Sequence, residues 1–248
     1  MLSSLRQFVV ALRLIFLVGL CASIVHYTLM QSWFVFSPRR IRSLGEKYAG
    51  QPLADSVIGI HRDLSLVYGR HVIDPWSKGV FDYFEKPKYP RSRGSEAGFW
   101  LPFYSGGLVG RIHFIHVSFS EYVAIVGSPV RTVGMSGWLW MNHTCTVLSG
   151  SLERLDGLQR ENFQPGKHVR FGQFESSIVE LNEETWLFCY GRGYTPLAVP
   201  YLTFGMASHA HFVPIIQLMS IGANSYASEC FNWAKESTAK LMDMFRKK

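Results

Sequence analysis

A long apolar run near the N-terminus constrains this chain more than any other feature of its sequence. The run extends from Phe8 to Met30 and is interrupted by Arg13 and His26. As a helix rising about 1.5 Å per residue it would reach roughly 34 Å, enough to cross a bilayer. Arg6 and the small residues around Ala22 would also suit a cleaved signal peptide. Because apolar and aromatic residues continue over positions 33–36, the sequence favours a retained anchor.

The overall composition also favours a membrane-associated protein. Lys and Arg number 25 against 18 Asp and Glu, which gives a formal net charge of +7. A basic chain suits either nucleic acid or an anionic membrane surface. Charged residues make up only 17% of this sequence and are scattered along it, whereas aromatic residues reach 15%. We therefore expect a membrane partner and no nucleic acid.

Two helices are predicted after the anchor. Ser37 and Pro38 suit the N-cap and the first position of a helix that ends near Gly50. A second helix is predicted over residues 53–69, because Leu, Val and Ile recur there at the spacing of one helical face. Residues 74–98 are rich in Pro, Gly, Lys, Arg and aromatics, which is typical of an exposed or membrane-grazing loop.

The middle of the chain has the pattern of a compact antiparallel sheet or barrel. Runs rich in β-branched and aromatic residues alternate with Gly, Pro, Ser or Asn. The runs cover residues 108–117, 122–126, 138–148, 174–181 and 185–190. Beyond residue 195 two helices are predicted, over 200–212 and 214–245, each with a proline at its first position. Their apolar stretches are short for a membrane span, so we expect them to lie in the interface.

The sequence contains no recognisable nucleotide or metal motif. No P-loop, HExxH, GxSxG or EF-hand pattern occurs. The four cysteines form no CxxC pair, which argues against a zinc ribbon or a dithiol redox motif. We therefore expect no cofactor.

Several spaced motifs in a fixed order resemble one known family. They are SGGLVG at 105–110, HVSFSEYV at 116–123, GMSG at 134–137, FQPG at 163–166 and YGRG at 190–193. Together with the anchor and the Tyr-Ala-Gly at 48–50, they resemble the sigma-1 receptor and fungal sterol C-8 isomerase family. The resemblance covers the chain from the anchor to its end, and residues 74–98 look like an insertion.

The resemblance implies an α+β fold, with a cupin-like antiparallel β-barrel behind one N-terminal transmembrane helix and two C-terminal membrane-associated helices. The domains expected are 1–36 for the anchor and interfacial segment, 37–194 for the barrel and its leading helices, and 195–248 for the C-terminal helices. The resemblance also implies an endoplasmic reticulum membrane location and a homotrimer.

In the family an occluded, mostly apolar pocket holds two carboxylates, but cysteines stand at both positions here, Cys145 and Cys189. Moving a sterol double bond requires a proton donor, a proton acceptor and negative charge near a carbocation, which a coupled carboxylate pair can supply. A buried thiol stays neutral and is a poor acid toward an alkene.

Three interpretations of the two cysteines remain open at this stage. They are two small buried thiols, or a disulfide across the pocket, or part of a zinc set with His143 and His116. The disulfide is implied by positions that face each other in the family and by a luminal, oxidising location. The alternation of side chains along a strand places His143 and Cys145 on the same face.

The resemblance and the strand pattern together predict a pocket for a lipophilic ligand. The candidate ligand-binding residues are Leu108, Ile112, Phe114, His116, Tyr122, His143, Cys145, Phe171, Leu181, Leu187 and Cys189. We expect a non-catalytic protein that binds a sterol-like molecule. One alternative is a sterol C-8 isomerase that uses Glu121, Glu175 or Glu180, although Glu121 is better explained as an acceptor of backbone hydrogen bonds. Another is a trimeric scaffold or chaperone-like protein.

Overall fold

A computed structural model describes residues 2–31, 34–73 and 100–246 of the chain. The predicted loop at 74–98 lies outside the described residues. The chain forms two units, Met1–Phe34 and Val35–Lys248.

In the first unit, helix α1 extends from Leu2 to Gln31. Its segment Arg6–Ile24 is long and apolar enough to cross a membrane. Large apolar side chains on this segment, such as Phe16 and Leu14, are exposed. Because an isolated apolar helix is not stable in water, this exposure fits the predicted anchor.

The second unit begins with the two predicted helices. Helix α2 extends over Pro38–Tyr48 and helix α3 over Leu53–Tyr68, followed by one 3₁₀ turn at Gly69–His71. The apolar face of α3 is buried, with Val57, Ile60 and Leu64 almost inaccessible. The helical spacing of these residues therefore predicted both the helix and its buried side.

The part of the chain from residue 100 to 246 contributes ten strands in two antiparallel sheets. The larger sheet has the order β1-β2-β3-β10-β5-β8. Its strands are β1 Leu101–Ser105, β2 Leu108–Val117, β3 Glu121–Ser128, β5 Met141–Ser149, β8 His168–Phe171 and β10 Thr185–Gly193. The smaller sheet has the order β4-β9-β6-β7, formed by β4 Thr132–Met135, β6 Leu152–Asp156, β7 Gln159–Phe163 and β9 Ile178–Leu181. The α+β class with antiparallel pairing is confirmed, but within the described residues the two sheets remain separate and the barrel is not closed.

Some strand predictions were wrong at their ends. The run predicted from 138 becomes a strand only at Met141, and the run predicted from 174 only at Ile178. Phe174 has a φ of 58°, a left-handed conformation that ends any extended strand. Strands β1, β4, β6, β7 and β8 were missed. Strand β7 reads QRENF and is mostly exposed, so no apolar alternation marks it.

Two helices complete the second unit. Helix α4 extends over Ala198–Ser208 and α5 over Phe212–Arg246. Pro200 and Pro214 each occupy the third position of their helix, whereas the sequence predicted the first. Proline is tolerated at the third position too, because the first four amide groups of a helix have no intrahelical acceptor. Helix α4 packs against β1, and α5 against β1 and β2. Apolar side chains on their outer side remain exposed, and these are Phe204, Phe212, Val213, Ile216 and Met219.

The larger sheet separates two apolar regions. On one face, Phe188 and Ile125 pack against Phe36 and against Ile60 and neighbouring residues of α3. On the other face, residues of the same strands pack toward the smaller sheet and toward α4 and α5. The candidate site lies on this second face.

Candidate ligand-binding pocket

A cavity of about 530 Å³ lies between the larger sheet, the smaller sheet and the helices α4 and α5. Its volume is within the range of about 300–1,000 Å³ that is usual for small-molecule sites. Strands β2, β3, β5, β8 and β10 supply one wall, β6 and β9 another, and the two C-terminal helices the third. All the described residues that line it belong to the second unit.

Alternation along neighbouring strands places the pocket residues in rows across the larger sheet. In one row, Tyr122 on β3 pairs with Gly191 on β10, which pairs with His143 on β5, and His143 pairs with Phe171 on β8. The next row contains Ala124, Cys189, Cys145 and Val169 at the corresponding positions. The two cysteines therefore lie directly opposite each other on adjacent strands.

The sulfur atoms of Cys145 and Cys189 are bonded to each other at 2.03 Å, with the Cα atoms 4.0 Å apart. Both residues are buried and line the cavity. Of the three interpretations of these cysteines, the structure has the disulfide. Among the described residues, no group of three or more His, Cys, Asp or Glu side chains is arranged to hold a metal ion.

The structure brings ten of the eleven predicted pocket residues together around the cavity. These ten are Leu108, Ile112, Phe114, Tyr122, His143, Cys145, Phe171, Leu181, Leu187 and Cys189. They come from β2, β3, β5, β8, β9 and β10.

His116 is the exception, and its predicted place in the pocket was wrong. A register shift between Phe114 and His116 gives β2 an extra residue, so His116 pairs with Val123 on the opposite face. There its ring packs 4.8 Å from the ring of Phe36, and its Nδ1 lies 2.7 Å from the carbonyl oxygen of His71. Simple alternation from Ile112 and Phe114 cannot reveal a bulge.

The pocket wall formed by the C-terminal helices was not predicted. It includes Val199, Leu202, Leu218, Gly222 and Tyr226. The sequence marked these helices as apolar, but an apolar helix can face lipid, a sheet or a cavity equally well. Met141 and Val126 also face the cavity and could have been predicted from the sequence. Each stands an even number of positions from a predicted residue of its own strand, His143 or Tyr122, and therefore on the same face.

The three glutamates considered as acids lie away from the cavity. Glu121 is buried and accepts hydrogen bonds from the Val35 amide at 2.6 Å and the Tyr190 hydroxyl at 2.7 Å. Its interpretation as a structural acceptor is confirmed. Glu175 accepts from the Gly172 amide, and Glu180 forms an ion pair with Arg131 on the outer side of the smaller sheet.

The electrostatic character of the pocket is neutral. No Asp, Glu, Lys or Arg is among the described residues that line it. Its titratable groups include Tyr122 and His143, and burial raises the pKa of Tyr122 and lowers that of His143 to about 4. Both side chains are therefore uncharged near neutral pH, so the wall offers apolar surface and a few neutral hydrogen-bonding groups.

An apolar, uncharged pocket between two sheets and two apolar helices, in a chain that also has an apolar N-terminal helix long enough to cross a membrane, is typical of a membrane-associated protein. Residues 10–233 match the family described as "ERG2 and Sigma1 receptor like protein". The chain belongs to this family.

Individual relatives are similar over different lengths. The sigma non-opioid intracellular receptor 1 of Danio rerio is 24% identical over 232 residues, which cover 91% of this chain and 96% of that protein. A protein erg2 homolog of Dictyostelium discoideum is 31% identical over 107 residues, or 42% of this chain and 46% of that protein. The solved cupin domain of Schizosaccharomyces pombe Cnp3 is similar with a TM-score of 0.32 at 10% identity, covering 36% of this chain and 68% of that chain.

Proposed function

We propose that this protein is a non-catalytic, membrane-anchored receptor for an uncharged sterol-like or other lipophilic ligand. The observation that carries the proposal is the Cys145–Cys189 disulfide at the two positions where the family has carboxylates. A disulfide adds apolar surface to the wall and has no proton to give, whereas the isomerisation of an alkene requires a strong proton donor. The positions of Glu121, Glu175 and Glu180 give further support, because these carboxylates have other partners outside the cavity.

The neutrality of the wall selects against cationic ligands. An ammonium group moved from water into such a pocket loses its hydration and gains no opposite charge in return, which costs several kcal/mol. A neutral molecule of the same shape gains the full benefit of apolar burial, at about 25 cal/mol per Å². We therefore expect this receptor to prefer a neutral sterol over the corresponding amine.

We also propose where the protein is located in the cell, how it assembles and how its chain divides into domains. We place the protein in the endoplasmic reticulum membrane with the pocket on the luminal side, where oxidising conditions preserve a disulfide. The anchor is residues 1–36, the cupin-like part with its leading helices is 37–194, and the C-terminal helices, which add a wall to the pocket, are 195–248.

A homotrimer is supported by an exposed row of apolar side chains, Met135, Ile178 and Leu155, across β4, β9 and β6 of the smaller sheet. Light scattering on the detergent-solubilised protein checks the assembly, and a monomeric mass would contradict it.

Competition against a fluorescent sterol tests the preference for neutral ligands. Displacement of dehydroergosterol from the purified full-length protein by cholestanol and by 3-aminocholestane gives the two affinities. We expect the amine to bind at least about tenfold more weakly, since an unpaired ammonium must be buried or deprotonated. The double variant Cys145→Asp with Cys189→Glu should gain affinity for the amine. Cys230→Glu, which alters an exposed free cysteine, is the matched control.

Yeast lacking sterol C-8 isomerase separates binding from catalysis. We expect Δ8 sterols to accumulate when this protein is well expressed there, because the pocket lacks an acid among its described residues. Conversion to Δ7 sterols would establish the isomerase instead. If no lipophilic molecule binds to the purified protein, the trimeric scaffold becomes the better account.

A further inference from the structure

His143 places a polar imidazole in the wall of a pocket that is otherwise mostly apolar, and apolar ligand binding alone gives this histidine no role. Its ring stacks on Phe171, with ring centroids 4.8 Å apart and planes 23° apart. The residue is 8% exposed, and its Nδ1 atom is buried without a hydrogen-bond partner. Stacking accounts for the orientation of the ring but leaves Nδ1 unsatisfied, and a buried unsatisfied polar atom is costly.

A second hydrogen-bonding group lies in the same row. Tyr122 lines the cavity, and its hydroxyl forms no hydrogen bond with the rest of the described chain. Gly191 separates it from His143, and a Cβ atom at this glycine would lie only 2.2 Å from Cε1 of Tyr122. The phenol ring therefore extends over Gly191, between β3 and β5, toward the side of the pocket where His143 stands.

The two groups are matched as a neutral donor and acceptor pair. Burial lowers the pKa of His143 to about 4 and raises that of Tyr122, so neither is ionised at pH 7. A neutral imidazole has one N–H donor and one nitrogen acceptor, and a phenol hydroxyl can donate and accept. No charged side chain is present among the described pocket residues to compete for either group.

We propose that Tyr122 and His143 form a subsite for the hydroxyl group of a lipophilic alcohol. This inference rests on the proposed function and names the class of ligand that the same pocket takes. A hydroxyl can donate to the imidazole while it accepts from the phenol, and so satisfies both groups at once. A ketone can only accept, a hydrocarbon can do neither, and a carboxylate or ammonium would bring a charge that this wall does not neutralise.

Competition with a matched series of sterols tests the subsite. Cholestanol, cholestan-3-one and cholestane are each titrated against dehydroergosterol bound to the full-length protein. The three affinities compare a hydroxyl, a ketone and a hydrogen on the same carbon skeleton. For the unmodified chain we expect the alcohol to bind more tightly than the ketone, and the ketone more tightly than the hydrocarbon. His143→Leu should weaken alcohol binding about three- to tenfold, the value of one neutral hydrogen bond. The same change should leave hydrocarbon binding equal or stronger, because an unsatisfied imidazole is removed.

Two further variants complete the experiment. Tyr122→Phe should reduce the preference for alcohol over hydrocarbon by a similar factor, since it removes only the hydroxyl. His168→Leu makes the same substitution as His143→Leu at a histidine outside the cavity, bonded to Glu46 and Thr146, and should leave the ligand order unchanged. Retained hydrocarbon binding shows that each variant is folded.

The outcomes separate the two proposals. Loss of the alcohol preference in His143→Leu with hydrocarbon binding intact supports the subsite. Equal binding of all three sterols before and after this substitution overturns the subsite and leaves the lipophilic receptor standing. Failure of all three to bind the unmodified chain overturns the receptor, and the subsite with it.

Discussion

At the residue scale, His143 shows how burial in an apolar wall changes the behaviour of one side chain. The imidazole stacks on Phe171 beside the cavity, and burial lowers its pKa to about 4 from the ordinary value of 6.5. Tyr122 and the Cys145–Cys189 disulfide face the same part of the cavity, and neither carries a charge. The histidine is therefore kept neutral by desolvation alone, which links its protonation to folding.

This link predicts that the protein loses stability in mild acid. Between about pH 6.5 and pH 4 the unfolded chain binds a proton at His143 while the folded chain does not, so the free energy of unfolding falls as the pH falls. For this residue the loss is about 2 kcal/mol between pH 7 and pH 5. Denaturant unfolding of the protein and of His143→Leu at both pH values measures it.

In His143→Leu, the fall in the free energy of unfolding between pH 7 and pH 5 should be smaller by about 2 kcal/mol. Some dependence of the same sign should remain, because burial also lowers the pKa of His116. Equal pH dependence in the two proteins would show that His143 is protonated in the folded state. His168→Leu again serves as a control, since His168 lies outside the cavity and pairs with Glu46.

At the element scale, the strands β5 and β10 determine the character of the site. They are neighbours in the middle of the larger sheet, and their paired residues include both cysteines, His143 and Gly191. The disulfide joins positions 44 residues apart in sequence, so it closes a loop that contains β6, β7, β8 and β9. It also fixes the register of the two strands that form the floor of the pocket.

Removal of the disulfide should therefore lower stability by about 2–4 kcal/mol, the usual value for a loop of this length. Cys145→Ala, Cys189→Ala and the double variant should all show this loss in denaturant unfolding, and their effects should not add, because either change breaks the same bond. A reductant should have the same effect on the unmodified protein. Cys230→Ser, at an exposed free thiol, should change little. Additive losses would mean that two separate thiols pack in the wall.

The elements also show how far the sequence could predict the site. Strand alternation has a period fixed by the backbone, so one correctly assigned residue such as Cys145 identifies the inward side of its whole strand. His116 was assigned wrongly because a bulge reverses that alternation. The disulfide could be considered but not chosen from residue types, since bonding depends on the distance between β5 and β10 in the fold.

At the scale of the whole molecule, the second unit is a layered structure with the larger sheet between two apolar regions. Helices α2 and α3 cover one face, and α4, α5 and the smaller sheet cover the other. Helical spacing predicted α3, and the family resemblance implied the α+β class. Neither could predict that the C-terminal helices form a pocket wall, because apolar helices of this kind pack equally well on protein or lipid. Strands β4, β6 and β7 of the smaller sheet were missed for a related reason, since a strand of four or five residues carries little apolar pattern.

The covalent bond between β5 and β10 has a consequence for the kinetics of ligand exchange. A molecule that enters or leaves the cavity needs a path wider than the gaps between packed side chains. The floor resists opening, because the two central strands are joined by hydrogen bonds along their length and by the disulfide. The opposite wall consists of α4 and α5, whose outer surfaces carry exposed Phe204, Phe212 and Ile216. We therefore expect displacement of these helices to limit the dissociation rate of a ligand. Because the sequence predicts that both helices lie in the membrane interface, we expect the residence time of the ligand to vary with the thickness and composition of the bilayer even where its affinity does not.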